Sequence, residues 1–352
     1  MTKIIPTFSV DTEDNYKKRL TLYDNLNIDT IRFNLTRYTF DEYQVELDKI
    51  RAIQKEISKK KMKIIFDVPY PGTKARIKFD GQEANVDVRN GEIIKITKDI
   101  SLMDVENRIL FVENIDDLEQ STTGQVIEID DGRLNLSFIE KKDDLLVFKT
   151  MGSGSLKYMK SINRKEHIFF REKRMGYMNN LINFVENNEP WGVCFSFVET
   201  KEDMIKLQEC FSENETKLIP KIETPTAINN LEEILDYCDM AMLGRGDLAL
   251  TGGGNMMGYY QEKFISTCKA KGKNIIIATD IMNSLAEFTL SFPLRSDLID
   301  LDNLVKNKVD YIVTSGEMGK GTGLKKTKDL LNGILDTRLK MVNINLKGAN
   351  TK

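Results

Sequence analysis

Short, continuously apolar runs that stop at a polar or small residue recur along this chain. "TKIIPTF" begins at Thr2, a second run lies within "NLNIDTIRFNL", and "MKIIFDVP" begins at Met62. "WGVCFSF", "TKLIPKI", "CDMAML", "NIIIAT" and "VDYIVT" follow between Trp191 and Thr314. Each is short enough for a strand and too uniformly apolar for one wet face, so each reads as a strand buried on both sides. The stretches between them carry apolar residues at helical spacing, as in "FDEYQVELDKIRAIQKEISKKK", "MGYMNNLINFVEN", "KEDMIKLQECF", "AINNLEEILDY" and "LIDLDNLVKNK". Further helices are predicted around Tyr259–Lys271 and Leu324–Met341. Eight strands, each followed by a helix over about 250 residues, predict an α/β chain folded as a (β/α)8 TIM barrel.

One segment breaks the rhythm. Within 77–160 the pattern has period two, in "RIKF", "ANVDV", "EIIKIT", "QVIEID" and "RLNLSFI". The turn signals Asp80-Gly81, Asn90-Gly91 and Asp131-Gly132 separate these runs. This predicts a small all-β domain inserted after the third barrel strand. The barrel is then expected from residues 1–76 and 161–341, the insert from 77–160, and a polar tail from 342–352.

Barrel active sites lie at the carboxyl ends of the strands. Those ends offer Arg32 and Asn34, Asp67, Ser196, Lys221 with Glu223, Arg245-Gly246-Asp247, Thr279, and Ser315 with Glu317. Side chains alternate along a strand, so Lys221 and Glu223 share a face, toward the barrel axis and beside Asp247. Two carboxylates among oxygen donors suit a hard divalent cation such as Mg²⁺. Arg32 and Lys221 beside it suit a phosphoryl group. A buried lysine also suits Schiff-base chemistry. These residues alone imply a metal-dependent enzyme acting on a small phosphorylated or carboxylated acid, and leave transferase and lyase both open.

Composition narrows the partners. A net charge of −3 and a pI near 5.6 give no bulk positive field for nucleic acid or an anionic membrane. No apolar run approaches the ~18 residues of a membrane span. The first residues lack the apolar stretch of a signal peptide, and four scattered cysteines suit a reduced cytoplasmic protein. With a single histidine, His167, a histidine triad or multi-histidine metal site is close to excluded.

The same strand-end residues, in this order, resemble the pyruvate kinase family. "TIRFNLTRYTF" resembles its A-R-x-N-F-S-H-G segment, and "FDVPYPGTKARI" its D-x-x-G-P-(E/K)-x-R segment with two extra residues. "FSFVETKEDM" is similar to S-F-V-R, and "IPKIETPTAINNLEEILDYCDMAMLGRGDLAL" to K-I-E-N through A-R-G-D-L-G at matching spacing. "IIIATDIMNSL" resembles T-A-T-Q-M-L-E-S-M, and "PLRSDLIDLDNLVKNKVDYIVTSGEMGKG" resembles P-T-R-A-E through L-S-G-E-T-A-x-G. The likeness covers the barrel and the insert, where the family keeps its lid, and not the family's C-terminal regulatory domain.

The resemblance implies a phosphotransferase that uses phosphoenolpyruvate and Mg²⁺ or Mn²⁺ and makes pyruvate and a phosphorylated acceptor. It implies that Glu223 and Asp247 hold the metal, Lys221 stabilises the phosphoryl group in flight and Arg32 grips the phosphate. The backbone of Arg245, Gly246 and Asp247, with the Thr279 hydroxyl, would bind the substrate carboxylate, and Arg76 would reach phosphate. Thr279, Ser315 and Glu317 would lie on the route of the proton delivered to the enolate. Asn34, Thr36, Asp67 and Lys74 mark the region where many relatives bind K⁺. Val68 and Lys74 match relatives that do without K⁺, a tethered ammonium supplying the charge, so no K⁺ requirement is expected.

The departures fall on the acceptor side. Arg37 and Tyr38 replace a nucleotide-side histidine and glycine, Glu199 replaces the S-F-V-R arginine, and Asp280 replaces the A-T-Q glutamine. The acceptor is therefore expected to be ADP or a different molecule. A lyase or decarboxylase working through a metal-stabilised pyruvate enolate is one alternative, and a non-catalytic metabolite- or partner-binding relative is another. The expected partners are small molecules, with a second copy of the chain as a further candidate.

Overall fold

The computed structural model describes residues 1–35, 38–57, 61–68, 75–78, 85–113, 115–129, 134–157, 161–164, 175–212, 215–286, 292–320 and 322–349. The chain divides into one unit formed by Met1–Val68 with Asn179–Lys352 and a second formed by Pro69–Met178. The division falls at these residues rather than at the expected 76/77 and 160/161.

The first unit is built on eight parallel strands. These are β1 (Lys3–Phe8), β2 (Thr30–Asn34), β3 (Lys63–Val68), β4 (Gly192–Phe195), β5 (Lys217–Ile222), β6 (Met240–Gly244), β7 (Asn274–Ala278) and β8 (Tyr311–Thr314). They pair in chain order, and β8 returns to β1, closing the barrel. Ile5, Ile65, Cys194, Ile219, Met240, Met242, Ile276, Ala278 and Val313 fill its interior. Because side chains alternate, residues two steps beyond these also face the axis. That row holds Thr7, Asp67, Ser196, Lys221 and Gly244 at the carboxyl ends. The intervening residues pack outward, which is why the strands read as unbroken apolar runs.

The enclosing helices are α1 (Glu13–Asn25), α2 (Phe40–Ile57), α3 (Met175–Asn188), α4 (Lys201–Cys210), α5 (Pro225–Asn229), α6 (Leu231–Leu235), α7 (Arg245–Gly252), α8 (Met257–Ala270), α9 (Arg295–Lys306) and α10 (Thr322–Ala349). Helix α1 buries Tyr16, Arg19, Leu20 and Tyr23, one stripe at i, i+3, i+4 and i+7. Thr200 starts α4 with a reciprocal capping box to Asp203.

Three helical features differ from expectation. The single helix expected at 227–237 is two, broken at Asn230, whose side chain donates to the Glu199 carbonyl at 2.9 Å instead of staying on a helix face. Helix α7 begins directly at Arg245 with no intervening loop. Helix α10 runs on to Ala349 through most of the expected polar tail, since no proline or glycine falls between Gly333 and Gly348.

The second unit is a small closed barrel with a separate two-stranded sheet. The five expected strands appear at Ala75–Lys78, Asn85–Val88, Ile93–Thr97, Val126–Ile129 and Leu134–Lys142. Four more, Ile109–Glu113, Leu145–Thr150, Gly154–Lys157 and Ser161–Arg164, complete it. Ile94, Ile96, Leu110, Val112, Ile127, Leu136 and Phe148 form its core. At the Asn90-Gly91 turn, Gly91 adopts φ +83°, and its N–H donates to the Thr150 carbonyl. Asp80-Gly81 and Asp131-Gly132 lie outside the described residues.

Candidate active site

A polar network spans the carboxyl ends of five strands. Asp67, at the end of β3 and 2% exposed, accepts from Arg32 Nε at 2.6 Å and lies 3.4 Å from Lys221 Nζ. Arg32 Nη1 donates to Thr7 Oγ1 at 2.8 Å. Lys221 Nζ sits 2.9 Å from Glu223 Oε1 and donates to Ser196 Oγ at 2.9 Å. Ser196 Oγ in turn donates a hydrogen bond to the Val68 carbonyl at 3.0 Å. The Phe197 N–H donates to Glu223 Oε2 at 3.0 Å.

Burial and charge compete at these groups, and charge wins. Burial alone would raise the Asp67 carboxyl, but the Arg32 and Lys221 cations hold it below the usual carboxylate range. Burial alone would lower the Lys221 ammonium, but Asp67 and Glu223 hold it above the ordinary lysine value. Lys221 is therefore held in its charged form. A Schiff-base lysine needs the opposite shift, so this environment does not favour that reading of the buried lysine.

Glu223 stands against the end of β6. A Cβ added at Gly244 would lie 2.7 Å from Glu223 Cγ and 2.9 Å from Cδ, so only glycine leaves room for this carboxylate. Asp247 is half-buried in the first turn of α7, and its charge contributes to holding Lys221 protonated. Counting Arg32 and Lys221 against Asp67, Glu223 and Asp247 leaves one net negative charge. Among the described residues no cluster of three or more acidic, histidine or cysteine side chains could cage a metal. Two carboxylates fit a cation such as Mg²⁺ that keeps positions for water and substrate oxygens.

Thr279 ends β7 in a left-handed conformation, φ +75°, and Asp280 follows at φ +55°. Such backbone costs about 1–3 kcal/mol per non-glycine residue and clusters at functional sites. The Thr279 side chain lies against the start of α7, since a Cβ at Gly246 would meet its Cγ2 at 3.1 Å and its Oγ1 at 3.6 Å. The Arg245 guanidinium is committed to the Thr279 carbonyl, Asp300 and Gln261.

Ser315 Oγ donates to Asn283 Oδ1 at 3.3 Å and accepts from the Met318 N–H, whereas Glu317 is exposed. Asn34 Oδ1 is buried without a hydrogen-bond partner among the described residues. Thr36 and Lys74 lie outside the described residues, and only the backbone of Arg76 is described, in a strand of the second unit. The structure thus gathers Arg32, Asp67, Ser196, Lys221 and Glu223 into one network. Thr279 is set beside Gly246, and Ser315 is bonded to Asn283. Thr7, Gly244 and Asn283 were not singled out from sequence. Thr7 was findable, since it follows Ile5 by two on an apolar strand.

A cavity of about 460 Å³ lies at the opposite end of the barrel, lined by Lys217, Asp239 and Lys273 near the strand starts. Its Lys217–Asp239 pair is solvent-exposed and weak, in contrast to the buried network.

Residues 1–326 match the family model described as the barrel domain of pyruvate kinase. The chain belongs to the pyruvate kinase family. Pyruvate kinase 2 of Candida glabrata is 25% identical over 323 residues, covering 91% of this chain and 63% of the relative. Pyruvate kinase of Lachancea kluyveri is 25% identical over 324 residues, 91% of this chain and 64% of the relative. Pyruvate kinase 1 of Saccharomyces cerevisiae is 24% identical over 323 residues, with the same 91% and 64%. The chain thus spans a little under two thirds of these relatives' length. No described helix is long and apolar enough to cross a membrane.

Proposed function

We propose that this chain is a pyruvate kinase-like phosphotransferase that takes the phosphoryl group of phosphoenolpyruvate, releases pyruvate and passes the phosphoryl group to ADP or another acceptor. The observation that carries the reading is Lys221, buried, held protonated between Asp67 and Glu223 and adjacent to the Arg32–Asp67 pair. Phosphoryl transfer needs fixed positive charge, and here that charge costs no reorganisation when the reaction occurs.

In this reading Arg32 grips the phosphate and Lys221 stabilises the group in flight. The backbone N–H groups at the start of α7 and the Thr279 hydroxyl hold the substrate carboxylate. Ser315, Glu317 and Thr279 convey the proton that converts the enolate to pyruvate. Glu223 and Asp247 would hold Mg²⁺ or Mn²⁺, which supplies charge stabilisation at the transferring oxygens. The free cysteines suit a cytoplasmic setting.

The test is pyruvate release from phosphoenolpyruvate with Mg²⁺ and a panel of acceptors, nucleoside diphosphates first. Acceptor-dependent release is expected. No release with any acceptor, accompanied by enzyme-dependent exchange of the pyruvate methyl protons, would replace the transferase with a lyase-type enzyme. Neither activity would leave a non-catalytic relative.

A further inference from the structure

Arg245 and Asp300 form a device that the proposed chemistry does not by itself require. Strands β6 and β7 pair with Gly244 opposite Ala278, so Arg245 and Thr279 are the next residues on each strand. Arg245 turns its guanidinium across this step. Its Nε and Nη2 both donate to the Thr279 carbonyl, at 3.0 and 2.6 Å. Its Nη1 donates to both carboxylate oxygens of Asp300 on α9, at 2.9 and 2.8 Å, and to Gln261 Oε1 on α8 at 3.2 Å. The pair is largely sheltered, with side-chain exposures of 14% and 26%.

The carbonyl it grips belongs to a residue in an unfavourable conformation. Thr279 is β-branched, and neither it nor Asp280 is a glycine, yet both hold positive φ. An extended continuation of β7 would send the Thr279 side chain elsewhere. Such a turn persists only where its surroundings over-determine it. A planar fork of donors is suited to that task, because it fixes the direction of the peptide plane as well as its distance. The same turn sets the Thr279 side chain against Gly246 at the start of α7.

We propose that Arg245 is a positioning residue, anchored by Asp300 and Gln261, that holds the Thr279–Asp280 turn left-handed and so sets the Thr279 side chain, with its hydroxyl, against the amino end of α7. The consequence for ligand binding rests on the reading that this hydroxyl meets the substrate carboxylate. Asp300 touches no ligand in that reading and acts only through Arg245.

Calorimetric binding of oxalate, a planar dianion shaped like enolpyruvate, in the presence of Mn²⁺ tests the device. Asp300→Ala is expected to weaken oxalate about tenfold, the equivalent of one lost hydrogen bond to a charged group, at unchanged Mn²⁺ affinity. In an Arg245→Ala or Thr279→Val background the same substitution is expected to change affinity less than twofold. Full-strength oxalate binding by Asp300→Ala, or an equal loss in all three backgrounds, overturns the proposal. Asp300→Asn, which keeps the shape and one acceptor, should fall in between and serves if the alanine variant does not fold. A crystal structure of the Asp300 variant separates this claim from the proposed function. If the parent protein binds no oxalate, the functional reading fails. The positioning claim then stands if Thr279 leaves positive φ in the variant, and is overturned if it does not.

Discussion

Replacing Gly244 by alanine isolates the space around the buried Glu223 carboxylate. Gly244 closes β6 at φ −91°, a backbone that alanine adopts freely, so any effect must come from crowding. The added Cβ would lie 2.7 Å from Glu223 Cγ and 2.9 Å from Cδ, closer than the 3.0 Å that real Cβ contacts keep. The carboxylate must therefore withdraw by several tenths of an ångström. It has little freedom to do so, being 2% exposed and tied to Lys221 at 2.9 Å and to the Phe197 N–H at 3.0 Å. Overpacking of this kind costs about 1–3 kcal/mol. Losing a hydrogen bond to a charged group adds about 1.5–3 kcal/mol. A destabilisation of roughly 3–5 kcal/mol is expected, a fall in Tm of about 6–20 °C at ~2–4 °C per kcal/mol. Because Glu223 is a proposed metal ligand, Mn²⁺ affinity should fall at least about tenfold, as for a disturbed coordination shell. Circular-dichroism melts and Mn²⁺ titration by electron paramagnetic resonance give the two readings. Gly333→Ala is the control, since a Cβ there on α10 meets nothing within 4 Å. Unchanged Tm and unchanged Mn²⁺ affinity in Gly244→Ala would show that the carboxylate does not stand where this geometry has it.

Asp247→Ala removes the second proposed metal ligand, and pyruvate release from phosphoenolpyruvate should drop on the order of 10³-fold or more with the melting curve retained; near-normal turnover would refute the ligand assignment. Activity with Mg²⁺ should be similar in K⁺-free and high-K⁺ buffers at matched ionic strength, and many-fold activation by K⁺ would refute the role assigned to Lys74. Asp67 has a depressed native pKa, so its contribution to stability is complete above the ordinary carboxylate value of about 4 and is lost as pH falls toward the native one. Asp67→Asn should therefore lower stability at neutral pH and flatten the acid limb of the stability–pH curve; an acid limb as steep as that of the parent would refute it.

Much of this architecture is local enough to read along the chain. The period of two in "KIIFDV" and "KLIPKI" is a property of each strand alone, and it assigns Asp67 and Lys221 to the barrel axis before any partner is known. Runs apolar on both faces require a covered parallel sheet, and the alternating stretch from 77 requires a separate core. What closure alone decides is which strand ends become neighbours. Arg32 and Asp67 are 35 positions apart, and their pairing depends on β2 lying against β3 with Asn34 opposite Asp67. The sign of the Lys221 shift depends on two carboxylates arriving from different places in the chain, and no composition or spacing reports it. Arg245 shows the limit most plainly. Its place beside Gly246 and Asp247 suggests a ligand, but its side chain is claimed by a carbonyl 34 residues away and a carboxylate 55 away. The need for glycine at 244, and the left-handed turn at Thr279, are likewise imposed by neighbours. Periodicity is set by each residue's own backbone and is legible in one dimension, whereas charge pairing and steric room are set by three-dimensional register, which exists only once the barrel has closed.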